Sequence, residues 1–469
     1  MGKIISAYIF PHPPIIVPEV GRGNEKEAQK TIDAMRIAAK EIKKDNPDTI
    51  IVITPHGPVM RDYVYVSRSE FLEGDLKKFH APNVRMKFKN NLSLAGKVLQ
   101  KADENDIEWQ DHTGRILRRY GYSGELDHGA IVPLYFVNEE LTGFKIIHMA
   151  IAWMPFLKLY KFGTLIGEAV RESGERVVIL ASGDLSHRLS HDTAYGYSRD
   201  GKIFDDLLVK SVSDSDVERL LELDEDFCES AGECGLRSIL IMYGTLDGMS
   251  LKPEVYSYEG PYGIGYAVAR IEVGEEDGSR KILNIVEKKN AERINRIRNN
   301  ESPHVRLARQ SLESYVREGR TLKLYGEFPE EMLQKRAGVF VSIKKNGHLR
   351  GCIGTIVPTR KNIAEEIIYN AISAGTQDPR FEPVSGSELD SLVYSVDVLS
   401  DPEPISSMEE LDVKRFGVIV RKGYRSGLLL PDLEGVDTPA QQVSIALQKA
   451  GINPDEDFTM ERFEVKRYK

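Results

Sequence analysis

The first half of the chain is built around one apolar run that stops at a histidine, Thr49-Ile50-Ile51-Val52-Ile53-Thr54-Pro55-His56-Gly57-Pro58. The β-branched residues of this run predict a strand that is buried on both faces, as in a parallel sheet. Pro55 and Gly57-Pro58 end the strand, so His56 is expected directly after its carboxyl end. In open α/β sheets this edge binds ligands, because its loops carry function while the strands hold them in place.

Two other apolar runs end in the same way. Ile4 to Phe10 is followed by His12 among prolines, and Arg176 to Ser182 is followed closely by His187. Helical periods lie between the runs, and this alternation predicts an α/β domain with a mostly parallel sheet covered by helices. Parallel strands present their carboxyl ends at one edge, so the two histidines are expected to converge with His56.

Length, charge and cysteine content narrow the function classes. A chain of 469 residues with 41% hydrophobic content should divide into two or three domains. The net charge of -9 and a pI near 5.7 disfavour nucleic acid as a partner, since phosphate binding needs a basic surface. Three irregularly spaced cysteines predict a reducing, cytoplasmic location. The longest apolar segment, 146–157, is too short to span a membrane, so no membrane association is expected.

The composition changes once along the chain and predicts two domains. Residues 1–273 hold the strand and helix alternation, and residues 274–302 are rich in Glu, Lys, Arg and Asn, which predicts a charged linker. Residues 303–469 predict a separate α+β domain. Eight of the ten histidines lie before residue 273, so metal or acid–base chemistry is expected in the first domain.

A metal site is the hypothesis that these histidines favour. A single strand-end histidine is more often a hydrogen-bonded structural residue, but three at one edge change this balance. Two neutral imidazoles and one carboxylate, with open positions, hold ferrous iron for oxygen chemistry. Glu229 and Glu233 are the carboxylate candidates, with Asp184 as a further one. The alternative is that both glutamates only complement the positive end of the helix that follows them.

The first ~270 residues resemble the class III extradiol ring-cleavage dioxygenases, which are LigB-like, and their Memo-like relatives. The resemblance is carried, in this order along the chain, by Pro11-His12-Pro13, Thr54-Pro55-His56-Gly57, Asp127-His128-Gly129-Ala130-Ile131-Val132-Pro133-Leu134, Gly183-Asp184-Leu185-Ser186-His187 and Gly232-Glu233-Cys234-Gly235.

This resemblance implies a role for each matching residue. His12 and His56 would be iron ligands, and Glu233 would be the third ligand. His187 would act as the acid/base, and His128 would contact substrate or oxygen. Memo-like relatives have a cysteine in the region of the third ligand. The third-ligand position is therefore also open to the neighbouring Cys234, and Glu229 stays in reserve.

The implied reaction is opening of a catechol-like aromatic ring by O2 at Fe(II). The alternative function is a Memo-like module that binds a metal or a partner protein without turnover. A carboxylate as third ligand favours oxygen chemistry, and a thiolate disfavours it. The presence of all four histidines favours the enzyme.

The last ~165 residues resemble the AMMECR domain, called AmmeMemoRadiSam system protein A in prokaryotes. The matching residues are Leu349-Arg350-Gly351-Cys352-Ile353-Gly354 and Gln377-Asp378-Pro379-Arg380-Phe381-Glu382-Pro383-Val384. The resemblance implies a fold and an association with Memo-like and radical SAM proteins, so a radical SAM protein is a candidate partner and a homo-oligomer stays open. Cys352 invites a nucleophile hypothesis, but a buried small hydrophobe is the favoured interpretation.

Overall fold

The computed structural model describes residues 2–113, 117, 119, 121–122, 124–324, 328–345, 347–433 and 435–469. They form two compact units, Met1–Glu287 and Lys288–Lys469. The division falls inside the helix Ile282–Asn299, so most of the segment expected to be a linker, 274–302, is helical. Among the described residues, no helix has the length and apolar character needed to cross a membrane.

The first unit contains one large sheet and a separate hairpin. Its strands are β1 Lys3–Phe10, β2 Thr49–Thr54, β3 Val64–Val66, β4 Phe71–Leu76, β5 Ala81–Lys89, β6 Trp109–Gln110, β7 Lys145–Ala150, β8 Arg176–Ser182, β9 Met249–Glu259 and β10 Tyr266–Glu276. The sheet order is β6-β3-β7-β2-β8-β1-β10-β9, and β4 pairs with β5. The centre β7-β2-β8-β1 is parallel, whereas β10 and β9 add antiparallel strands at one side. The α/β prediction is confirmed, with a mixed sheet.

Helices cover both faces of this sheet. They are α1 Pro18–Gly21, α2 Gln29–Asp45, α3 Leu92–Glu104, α4 His128–Glu140, α5 Phe156–Arg171, α6 Arg199–Asp214, α7 Val217–Leu221, α8 Glu225–Ala231 and α9 Leu236–Thr245. Strand β2 supplies both apolar cores, because Ile51 and Ile53 pack on one face and Ile50 and Val52 on the other. The apolar run is therefore buried on both faces, and its carboxyl end is held firmly.

The second unit is an antiparallel sheet with helices, which confirms the α+β prediction. Its strands are β11 Val339–Lys345, β12 His348–Thr355, β13 Leu392–Leu399, β14 Glu403–Ile405, β15 Phe416–Lys422, β16 Arg425–Leu429 and β17 Thr459–Tyr468. Its helices, after the shared α10 Ile282–Asn299, are α11 Pro303–Glu318, α12 Glu330–Gln334, α13 Ile363–Thr376 and α14 Pro439–Ala450. Helices α11 and α13 pack on β11 and β13 to form its largest core.

Candidate metal centre

Three histidines meet at the carboxyl edge of the parallel strands. His12 follows β1, His56 follows β2, and His128 is the first residue of α4. Their ligand nitrogens all lie within 4.8 Å of one another, and they form the only such group of potential metal ligands in the described part of the chain. The ring of His56 stacks on that of His128 at 4.2 Å and meets the ring of His12 edge-on at 4.6 Å.

The hydrogen bonds of His12 fix which of its nitrogens can bind a metal. Ser182 donates its hydroxyl hydrogen to the carbonyl of Gly129, with an O–O distance of 2.5 Å. The same oxygen lies 2.9 Å from Nδ1 of His12, so it must accept a hydrogen from that nitrogen. Nε2 then carries the lone pair. This is the usual arrangement of a metal-binding histidine, whose second nitrogen donates to a neighbouring oxygen.

Burial keeps the three imidazoles neutral, the form in which they bind metals. Burial, and next the charge of neighbouring His56, hold the pKa of His12 well below its usual value. Burial likewise lowers the pKa of His56 and of His128 to about 4, and the neighbouring imidazoles add to the effect. All three nitrogens are therefore available as ligands at neutral pH.

Glu233, expected as the third ligand, is used elsewhere. Its Oε2 accepts the backbone hydrogen of Leu236 at 2.7 Å at the start of α9, and Oε1 lies 3.9 Å from the guanidinium of Arg237. Burial raises the pKa of Glu233 to about 6. The group of close ligand atoms contains His128, which was expected to contact substrate or oxygen, and does not contain Glu233, whose carboxylate caps the following helix. The assignment of Glu233 as a metal ligand stays a prediction. The reserve candidate Glu229 is exposed on α8.

Cys234 and Asp184 border the cluster beside His12. The sulfur of Cys234 lies 3.7 Å from Nε2 of His12, and a carboxylate oxygen of Asp184 lies 3.9 Å from the same nitrogen. Burial, and next the charge of Asp184, raise the pKa of Cys234 well above its usual value, so the free thiol is protonated. Burial also raises the pKa of Asp184 to about 6. Both residues lie outside the three-histidine group.

His187 follows β8, and its Nε2 has no hydrogen-bond partner among the residues that the structure describes. Its Nδ1 donates to the carbonyl of Gly232 at 2.6 Å, which leaves the lone pair on Nε2. Gly232 belongs to the same short segment as Cys234, whose sulfur lies 3.7 Å from Nε2 of His12, so this bond holds His187 next to the segment that borders the cluster. Such a group can accept and return a proton beside a bound metal. His191, by contrast, is exposed, and among the described contacts it meets only the ring of Tyr197.

Two aromatic side chains at the centre were not predicted from the sequence. The ring of Phe79, between β4 and β5, lies 5.2 Å from the ring of His128, and that of Tyr195 lies 5.1 Å from the ring of His187. Both belong to connecting segments without a motif. The alternation of apolar residues in β5 was the one signal that could have located the hairpin that carries Phe79.

The donor set fits a divalent metal ion. Two nitrogens that bind one ion at about 2.1 Å lie no more than about 4.2 Å apart, so small side-chain movements bring the imidazoles into range. Nitrogen ligands of this kind suit iron, zinc, copper and nickel alike. The geometry thus supports a metal site with three histidines, and these ligands alone do not determine which metal ion it binds.

Comparisons with known proteins agree with both units. A family model described as the catalytic LigB subunit of aromatic ring-opening dioxygenase matches residues 6–269, and the AMMECR1 model matches residues 305–469. The protein CA_C1420 of Clostridium acetobutylicum is 45% identical over 463 residues, 98% of each chain. A protein of Thermotoga maritima is 54% identical over 171 residues, which are 36% of this chain and 98% of that protein.

Among solved structures, the protein PH0010 of Pyrococcus horikoshii is similar at 36% sequence identity and a TM-score of 0.33, and the match covers 35% of this chain and 88% of that one. The LigB match spans more than half of the chain and contains every residue of the histidine cluster. The chain therefore belongs to the LigB family of ring-opening dioxygenase catalytic subunits, and it carries an AMMECR1 domain after its LigB domain.

Proposed function

We propose that the first unit is a dioxygenase that uses non-haem Fe(II) to open a catechol-like aromatic ring with O2. The observation that carries this proposal is the cluster of His12, His56 and His128, with His187 beside it and a lone pair on its Nε2. A metal centre next to an uncoordinated base is what proton removal from a bound catechol requires.

Each residue of the site has a distinct task in this reaction. When bound, ferrous iron supplies a Lewis acid for the two ring hydroxyls and the electrons that activate dioxygen. His187 accepts a phenolic proton at Nε2 and returns it as the ring opens, while its Nδ1 stays bonded to Gly232. Both atoms of O2 enter the product, so the reaction consumes no other reductant.

The surroundings of the cluster suit a flat, apolar substrate. Phe79 and Tyr195 place aromatic rings beside His128 and His187, and such rings favour stacked or edge-on contacts with another aromatic ring. The two side chains come from different connecting segments. Phe79 borders the centre beside His128, and Tyr195 borders it beside His187. Their contacts would orient a catechol ring toward the metal ligands.

The test measures oxygen consumption by the full chain. The chain is first loaded with Fe(II) without oxygen, and O2 is then supplied together with the substrate. We expect O2 uptake equimolar with a coloured ring-opened product for at least one member of a catechol panel. His56→Ala should lose the metal, whereas His187→Ala should keep it and lose at least 100-fold in turnover, in the range of general base catalysis, about 10²–10⁴. Iron bound without O2 uptake across the panel would contradict the proposal.

His191→Ala is the matched control for His187→Ala. It removes an imidazole four positions away that is exposed and contacts Tyr197, so it should keep both the metal and the turnover. Equal losses in the two variants would mean that His187 has no special part in proton transfer.

A second candidate function is a metal-binding module of the Memo-like kind without turnover. The position of Cys234, with its sulfur 3.7 Å from Nε2 of His12, favours it, because a thiolate ligand softens a site toward copper. Cys234→Ser distinguishes the two functions. The dioxygenase should keep its Fe(II) and its O2 uptake in this variant, whereas the binding module should lose affinity for Cu(I).

A further inference from the structure

A chain of buried hydrogen bonds runs behind the histidine cluster. Nε2 of His148, which is fully buried in β7, lies 2.8 Å from Oδ2 of Asp127. Thr54 donates its hydroxyl to Oδ1 of Asp127 at 2.8 Å. The oxygen of Thr54 then accepts the backbone hydrogen of His56 at 3.1 Å. The chain thus links a buried strand residue to the loop that holds a metal-site histidine.

The same carboxylate also lies beside the second histidine of the cluster. Asp127 directly precedes His128 and occupies the position before α4, where an aspartate usually accepts a hydrogen bond from the helix backbone. Its side chain makes no such capping bond. Both oxygens are directed to Thr54 and His148 instead, so ordinary helix capping does not explain this residue.

Two glycines leave room for this arrangement. A Cβ at Gly129 would lie 2.3 Å from the hydroxyl of Thr54 and 2.8 Å from Oδ1 of Asp127, and a Cβ at Gly57 would lie 2.7 Å from the Cβ of Ala150. Contacts this short are not tolerated by real side chains. The first turn of α4 therefore approaches the carboxylate so closely that only glycine fits there, and the loop after β2 packs in the same way against Ala150 at the end of β7, which restricts the positions of His128 and His56.

Burial makes these bonds costly to lose. Thr54 and His148 are completely buried, and the carboxylate of Asp127 is 11% exposed. The other nitrogen of His148, Nδ1, has no hydrogen-bond partner among the described residues, so Asp127 is the group that orients this imidazole. A buried carboxylate that loses its hydrogen-bond donors destabilises the protein more than a surface carboxylate does, because water replaces the lost donors only at the surface.

We propose that Thr54, Asp127 and His148 are positioning residues that hold His56 and His128 in the geometry a divalent metal needs, and that Asp127 balances part of the charge of the ion. The inference rests on the proposed metal centre but assigns residues outside it. Groups that orient metal ligands typically contribute about 10–100-fold to metal affinity. None of the three touches the substrate in this assignment, so they act through the two histidines.

The test measures Co(II) binding to the full chain by competition with a chelator and by the visible absorption bands of the bound ion. Thr54→Val removes the hydroxyl with little change in volume, Thr54→Ser keeps it, and Asp127→Asn removes the charge. We expect Kd to rise about 10–100-fold in Thr54→Val and Asp127→Asn with shifted bands, and to stay within about threefold of wild type in Thr54→Ser.

Thr31→Val is the matched control for a general loss of stability. Thr31 is a buried threonine of α2 whose hydroxyl donates to a carboxylate oxygen of Glu259 at 2.7 Å, so its loss removes the same kind of bond away from the cluster. Unchanged affinity and bands in Thr54→Val, or an equal loss in Thr31→Val, would overturn the inference. Failure of the wild-type chain to bind Co(II) would instead overturn the metal centre itself.

Discussion

Burial and hydrogen bonding decide what three buried histidines of this chain can do. His12 donates from Nδ1 to Ser182 and keeps Nε2 for a metal. His148 uses Nε2 to bond Asp127. His304, in the second unit, has no hydrogen-bond partner for Nδ1 among the described residues and stacks on the ring of Tyr468 at 3.6 Å. The same side chain is thus a ligand candidate, a positioning group and an apolar packing surface.

His304 should make the second unit sensitive to acid. Burial lowers its pKa to about 4, while in the unfolded chain it titrates near 6.5. Between these values the unfolded chain binds a proton that the folded chain does not, so stability is lost as pH falls from about 6.5 to 4. We expect a loss of roughly 1–2 kcal/mol at pH 5, measured by amide hydrogen exchange in α11 after correction for intrinsic rates.

His304→Phe is the control for this pH effect. It keeps a ring against Tyr468 and removes the titrating group, so protection of α11 should change less between pH 7 and pH 5 than in the wild type. The same pH dependence in both proteins would assign the acid sensitivity to other groups.

The sequence predicted the edge where His12, His56 and His187 lie, since each follows a proline- or glycine-bounded apolar run. It did not distinguish Glu233 from a helix cap, because a glutamate three residues before Leu236 suits both a metal ligand and a capping residue. The tautomers of His12 and His187 also escaped prediction, because they depend on Ser182 and Gly232, which only the fold brings near.

At the scale of elements, two pieces that shape the site were not predicted. Helix α4 contains Pro133 in its interior, and proline there normally argues against a helix, so the start of α4 at His128 went unseen. The β4–β5 hairpin has its apolar period only in β5, where buried and exposed residues alternate near Met86. Strand β2 was recognised because its run of β-branched residues is continuous and buried throughout, and α2 because its apolar residues recur at a helical period.

The contact between the end of β8 and the start of α9 should not tolerate a methyl group. A Cβ at Gly183 would lie 2.1 Å from the Cα of Gly235, so backbone would have to move. We expect Gly183→Ala to lower the free energy of unfolding by about 1–3 kcal/mol. It should also weaken Co(II) binding by displacing Asp184, whose Oδ1 accepts the backbone hydrogen of His12 at 2.8 Å. Both quantities are measured on the full chain.

Gly96→Ala is the opposite case and serves as its control. Gly96 lies within α3, and a Cβ there meets nothing within 4 Å. Alanine is the better helix former, so this variant should gain about 0.5–1 kcal/mol and bind Co(II) as the wild type does. A Gly183→Ala chain with wild-type stability would show that the two backbones can separate without cost.

At the scale of the whole molecule, the two units should fold independently. Each has its own hydrophobic core, and the two family models match separate stretches of the chain, residues 6–269 and 305–469. The test uses two fragments, 1–287 and 288–469, which correspond to the two compact units. We expect each fragment to unfold cooperatively when its unfolding is followed by circular dichroism. Only the first should bind Co(II), with a Kd within threefold of that of the full chain.

Recovery of Co(II) binding only on mixing the two fragments would contradict this expectation, since it would place part of the centre in the second unit.

The order of strands around the site could not be predicted, because burial on both faces indicates that a strand lies inside a parallel sheet but not which strands are its neighbours. Strand β1 lies between β8 and β10, and nothing in its own residues encodes that choice.

This placement of β1 has a consequence for synthesis on the ribosome. Lys3 pairs with Arg176, and Ile9 pairs with Ala269, so β1 waits for partners that emerge much later. At about 5–20 residues per second, the first partner takes on the order of 10–30 s to appear. His12 follows that strand, so the nascent chain cannot complete the centre before most of the first unit has been translated. We therefore expect metal uptake to follow the closure of the sheet.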